Sequence, residues 1–104
     1  MGYILTTDLN DIIDYCKSRC KATILNHNKS NIKYYRGMYK GYMYGISISK
    51  YFKTTKTKLT HAKLYQVIKE EKNKIQFTYI KDADIQKGLL ESLYDLMNYV
   101  SKQN

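Results

Sequence analysis

The sequence predicts an α+β fold, a small single domain in which an antiparallel sheet carries its helices on one face, in the order (β)αβββαβα. Three observations predict it. Residues 42–49 alternate, with Tyr42, Tyr44, Ile46 and Ile48 on one face by period two and Met43, Gly45, Ser47 and Ser49 on the other. The GMYKG run at 37–41 reads as the turn joining that strand to a strand at 32–36. Toward either end of the chain the apolar spacing changes to that of a helix.

Taken in order, residues 2–6 form a short strand, and Thr7 caps a helix over 8–20 with Asp8 and Asp11 in its first turn. Leu9, Ile12, Ile13, Cys16 and Cys20 make its apolar stripe. Residues 22–25 read as a strand and 26–31 as a polar turn. The hairpin 32–49 follows, its tip projecting like a wing, and then a cationic connection at 50–58. Thr60 caps a second helix over 60–71, with Leu59 and Leu64 at the positions of a hydrophobic staple. Ile75, Phe77 and Tyr79 alternate as a strand. Asp82 caps the last helix, whose stripe is Ile85, Leu89, Leu93, Leu96 and Val100, widened by Leu90 and Met97. The pattern fits a ferredoxin-like core with an added helix or a winged-helix arrangement. With 104 residues there is chain for one modest core, no internal repeat and no linker.

Charge is distributed unevenly. Between Asp14 and Glu70 there is no acid, and thirteen of the eighteen Lys/Arg lie in that gap. The rest of the chain carries five Lys against nine acids, a net of −4. The stretch from Lys33 to Lys58 holds seven Lys/Arg, six Tyr, one Phe and no carboxylate. Cations neutralise phosphates and rings offer faces to unpaired bases, so the block points to nucleic acid, single-stranded DNA ahead of RNA or duplex. The expected phosphate contacts are Lys33, Arg36, Lys40, Lys50, Lys53, Lys56 and Lys58. The expected stacking rings are Tyr35, Tyr39 and Tyr51, while Tyr34, Tyr42 and Tyr44 share faces with isoleucines and belong to the core or its rim.

Other chemistry is weaker. Cys16 and Cys20 lie on the apolar stripe, where thiols act as small hydrophobes, and they form no zinc knuckle with His27 and His61. Asp8, Asp11 and Asp14 suit the positive end of a helix. His61 has no nucleophile or orienting group nearby in sequence. The glycines at 37, 41 and 45 precede no helix in this reading and so cradle no phosphate. No enzyme, metal or cofactor is expected. No window is long and apolar enough for a membrane span, the N-terminal stretch is not a secretory signal, and two thiols without one imply a reducing cytoplasm.

No RNP1 run or GxxG loop between helices is present. In style, as a small Lys/Tyr-rich single domain, the chain resembles the accessory proteins of phages and mobile elements, which implies an accessory role in replication. The competing expectation is an inhibitor or adaptor of phage type that docks its basic patch on an acidic host protein or a nucleoprotein.

Overall fold

Helix forms where the end-of-chain stripes predict it, and it also forms where strands are expected. A computed structural model describes residues 3–26, 31–55, 58–78 and 81–103. These residues make four helices, α1 (Thr6–Asn26), α2 (Ile32–Thr55), α3 (His61–Phe77) and α4 (Ala83–Gln103), and no strand among them. The α+β expectation is therefore overturned. Among the described residues there is no antiparallel sheet, and the fold is neither ferredoxin-like nor winged-helix-like but a helical bundle.

Each expected strand has its own correction. Residues 22–25 continue α1. The hairpin 32–49 is the first three-quarters of one helix that also absorbs most of the expected 50–58 connection. Ile75 to Phe77 end α3, with Thr78 as its C-cap, while Tyr79 and Ile80 lie outside the described residues. Of the first strand, residues 3–5 are irregular, and Ile4 N–H donates to Leu59 O at 2.6 Å.

The alternation at 42–49 misled for a physical reason. Tyr42, Tyr44, Ile46 and Ile48 are also two helical pairs at i and i+4 spacing, 42 with 46 and 44 with 48. A helix that packs against neighbours on two sides buries both pairs. Tyr42 and Ile46 are in the core, and Tyr44 and Ile48 are packed against it. Local β propensity is weak beside such burial.

The glycines decide where α2 packs. Gly37, Gly41 and Gly45 are buried along one stripe of α2, facing Gly88 and Ser92 of α4, which are buried too. A Cβ on Gly37 would strike the carbonyl of Ile85, and one on Gly88 would strike the carbonyl of Tyr34. The two backbones thus approach as closely as main chain allows, and only glycine fits on either side. Pairs rise together along both helices, Gly37 with Ile85, Gly41 with Ser92 and Gly45 with Leu96, so α2 and α4 run parallel. In an up-down-up-down bundle these are the diagonal helices. Here the diagonal is closed, and α2 packs most extensively on α4, then on α1, with α3 against α4.

The remaining helices are placed by conventional means. Leu9, Ile12, Ile13, Cys16, Cys20 and Thr23 bury one face of α1. Thr60 Oγ1 accepts from Lys63 N–H at 3.1 Å and starts α3, and Leu59 and Leu64 are both buried, as a staple requires. Asp82 Oδ1 accepts from the N–H groups of Asp84 (2.9 Å) and Ile85 (3.2 Å) at the start of α4. Leu93, Leu96, Met97 and Val100 complete the core.

Candidate functional site

With its small residues turned to α4 and Tyr42, Ile46 and Ser49 buried, α2 presents what is left to solvent. Lys33, Arg36, Lys40, Met43, Ser47, Lys50 and Thr54 follow at spacings of 3, 4, 3, 4, 3 and 4, and all are exposed. That is one continuous helical stripe about 32 Å long at 1.5 Å per residue. The whole of α2 carries five Lys/Arg and no acid. Tyr51 adjoins the stripe, 59% exposed, with its ring edge-on to Phe52 at 5.3 Å.

The structure therefore sorts the sequence-predicted residues. Lys33, Arg36, Lys40, Lys50 and Tyr51 share one face. Lys33 is held at its end by an ion pair with Asp82 at 2.8 Å, which raises the Lys33 pKa and lowers that of Asp82. Among the described residues Arg36, Lys40 and Lys50 have no ion-pair partner. Lys53 turns instead toward α1, where its Nζ donates to Asn10 Oδ1 at 2.6 Å. Lys58 lies beyond α2 with its ammonium 5.5 Å from the Tyr3 ring centroid. Lys56 lies outside the described residues. The hairpin that was to display these side chains does not exist, and a helix face displays some of them.

The tyrosines divide as well. Tyr42 is fully buried, and its hydroxyl donates to Asp95 Oδ2 at 2.6 Å. Tyr15 donates to the same oxygen at 2.5 Å, and Arg19 Nε sits 3.9 Å from it. Burial first, and then the bond to Asp95, push both phenol pKa values well up. Tyr15 also stacks on Tyr99, centroids 4.1 Å apart. This knot joins α1, α2 and α4, and its hydrogen bonds satisfy its members, so it is a structural device. Tyr34 donates to Glu91 at 2.9 Å, and burial and that contact push its pKa up to about 12.

Tyr35 and Tyr39 are half-buried on the α1 side of α2. With Thr23, Ile24, Ile32 and Arg36 they line a groove of about 310 Å³ between the end of α1 and the start of α2. Sequence reasoning missed the α1 contribution. Lys17, Lys21 and Ile24 recur at spacings of 4 and 3, a second stripe, and both lysines are exposed. The signal was present, but reading 22–25 as a strand cut the stripe short of Ile24.

Cys16 lies against Gly45 and Leu96, and Cys20 donates its thiol to Tyr39 O at 3.9 Å. His61 Nε2 is 3.5 Å from Asp8 Oδ2, where α3 starts beside α1. His27 lies outside the described residues. Among the described residues no group of three or more His, Cys, Asp or Glu side chains is arranged to hold a metal, and no helix is long and apolar enough to cross a membrane. No family model, curated protein or solved structure matches the chain.

Proposed function

We propose that this chain binds nucleic acid without strong sequence preference, single strands first, through the outer face of α2. The observation that carries the reading is the stripe Arg36, Lys40 and Lys50, cations without ion-pair partners among the described residues on a helix that has no acid. A solvated helix face ordinarily mixes signs, and an unmixed one attracts a polyanion. Met43, Ser47 and Thr54 separate the cations, and only Arg36 offers the planar fork suited to base edges. The stripe is thus better matched to phosphates than to reading a duplex sequence. Tyr51 at its edge and the tyrosine-lined groove at its start favour unpaired bases. Such binding would serve accessory steps of replication in a cytoplasm, where the free thiols of Cys16 and Cys20 stay reduced.

The test is fluorescence anisotropy of single- and double-stranded oligonucleotides over a salt series. Three or four neutralised phosphates give a slope of log K against log[salt] of roughly −2 to −3 on a single strand. Lys40→Gln or Lys50→Gln should each remove somewhat under one unit of slope, whereas Lys53→Gln, whose ammonium faces Asn10, should leave it nearly unchanged. No oligonucleotide binding at about 50 mM salt would refute the proposal and leave an acidic protein as the partner of this face.

A further inference from the structure

The groove at the start of α2 has features that simple phosphate attraction does not require. We infer that it holds one unpaired base of a bound strand between Tyr35 and Tyr39, with Arg36 on the adjoining phosphate. The inference rests on the nucleic-acid reading and gives it a base-binding site.

Size and lining come first. At about 310 Å³ the groove lies at the small end of the range for ligand pockets, roughly 300–1,000 Å³. Ile24 and Ile32 supply apolar walls, Tyr35 and Tyr39 supply rings, and among the described residues no carboxylate lines it. The Thr23 hydroxyl donates to Cys20 O at 2.7 Å, so the hydroxyl hydrogen is already engaged. A flat, largely apolar guest with a negatively charged attachment is complementary to that lining.

The Tyr35 ring is held in place from behind, and the Tyr39 main chain is held to α1. Tyr35 meets Tyr34 edge-to-face at 5.3 Å, and Tyr34 is fixed by its bond to Glu91, with the Lys87 ammonium 5.9 Å from its ring centroid. Tyr39 is held to α1 through its carbonyl, which accepts from the Cys20 thiol. Rings positioned before binding lose less freedom when a base arrives.

Charge and continuity fix the orientation of the guest. Arg36 belongs both to the groove and to the outer stripe, with Lys40 one turn further along. A strand whose phosphates follow Arg36, Lys40 and Lys50 therefore passes the mouth of the groove. Arg19 lines a second hollow on the other side of Tyr35, but it is directed at Tyr42 and Asp95. The guanidinium available to a phosphate is that of Arg36.

The experiment compares, on the unaltered protein, an oligothymidylate with an oligonucleotide of equal length made of abasic residues. The inference expects the abasic strand to bind about five- to a hundredfold more weakly with an equal salt slope, the range that base stacking spans. Amide NMR shifts on adding oligothymidylate should concentrate at Thr23, Ile24, Ile32, Tyr35 and Tyr39. Tyr39→Leu, which keeps an apolar side chain there, should bring the oligothymidylate close to the abasic affinity. Equal binding of both strands would overturn the groove assignment and leave the phosphate stripe standing. A base effect with shifts at Tyr51 and none in the groove would overturn it also. Binding of neither strand would overturn both readings.

Discussion

Replacing Gly37 by Ala tests the closed diagonal of the bundle. In an open helix the change is favourable by about 1 kcal/mol, because Ala loses less backbone freedom on folding. In this bundle the new methyl would overlap the carbonyl of Ile85 and come within 3.0 Å of Leu89 N. Both are main-chain atoms of α4, so no rotamer change relieves the overlap. One helix must move, and overpacking of this kind costs typically 1–3 kcal/mol, more when backbone shifts. Because the overlap is with main chain that no rotamer can relieve, the cost belongs at the upper end of that range or above it, about 2–4 kcal/mol. Net of the propensity gain, the expected loss is roughly 1–3 kcal/mol, a fall in melting temperature of about 5–20 °C for a domain of this size. The assay is thermal and urea unfolding followed by circular dichroism, with Ser47→Ala on the outer stripe as the control that should change little. Gly41 offers a partial rescue, because its added methyl would overlap the Ser92 side chain, with the nearest main-chain atom, Leu89 O, further off at 3.3 Å. Gly41→Ala should destabilise, and Ser92→Gly in the same molecule should return part of the loss, a coupling that a double-mutant cycle reads directly. A Gly37→Ala protein as stable as its parent would refute the close parallel packing of α2 on α4.

Two further outcomes follow from the buried polar groups. The pKa values of Tyr15, Tyr34 and Tyr42 are raised in the folded state above the ordinary phenol value of about 10, so their contribution is fully present below pH ~10 and is lost as pH rises through the folded values, Tyr34's at about 12. The urea midpoint should therefore fall as pH rises from about 10 toward 12, and a flat midpoint there would show that the three phenols titrate as in the unfolded chain. Burial pushes the Cys16 thiol up to about 12 and raises Cys20 as well, so both should resist a thiol reagent at about pH 8 in the native protein and react at once in denaturant. Rapid labelling of the native protein would place them outside the core.

How much of this was legible in the sequence varied from element to element. The spacing of Leu9 to Cys20 belongs to a helix buried mainly against one neighbour, and there periodicity identifies the element. α4 packs on both α2 and α3, but its stripe from Ile85 to Val100 keeps spacings of 4, 4, 3 and 4 that no alternation of period two competes with. The cap at Thr60 was readable for the same reason, because a cap is a local device. α2 was not readable, because it buries residues toward both α1 and α4 and its apolar pattern superposes two faces. Gly37 and Gly41, taken as turn formers, and Gly45, placed in the strand, are contact residues instead. The signal was their spacing of four, which returns each glycine to one side of a helix, whereas a turn needs glycine at one or two adjacent positions. Gly88 in α4, which lowers the propensity of that helix by about 1 kcal/mol relative to Ala, is the other half of the same contact. No local rule joins Gly37 to Gly88 across fifty residues, and only the packed structure does.

The features on which the proposed function leans were altered unequally by the change of fold, and the inequality is informative. Charge segregation depends on composition, since thirteen Lys/Arg in an acid-free span produce a positive surface whether the span is hairpin or helix. The stacking argument depended on orientation, which the helix rewrote. Of the six tyrosines between Lys33 and Lys58, Tyr42 is consumed by the core, Tyr34 bonds to Glu91, and Tyr44 packs on the core's edge. Tyr51 remains in the open, while Tyr35 and Tyr39 move from a displayed turn to the wall of a groove. A hairpin would have offered its rings on a surface, with affinity accumulating over several bases. The helix concentrates two of them at one place beside Arg36. Under the proposed function, discrimination between single strand and duplex would rest on one end of α2, and the rest of the stripe would supply attraction indifferent to the bases.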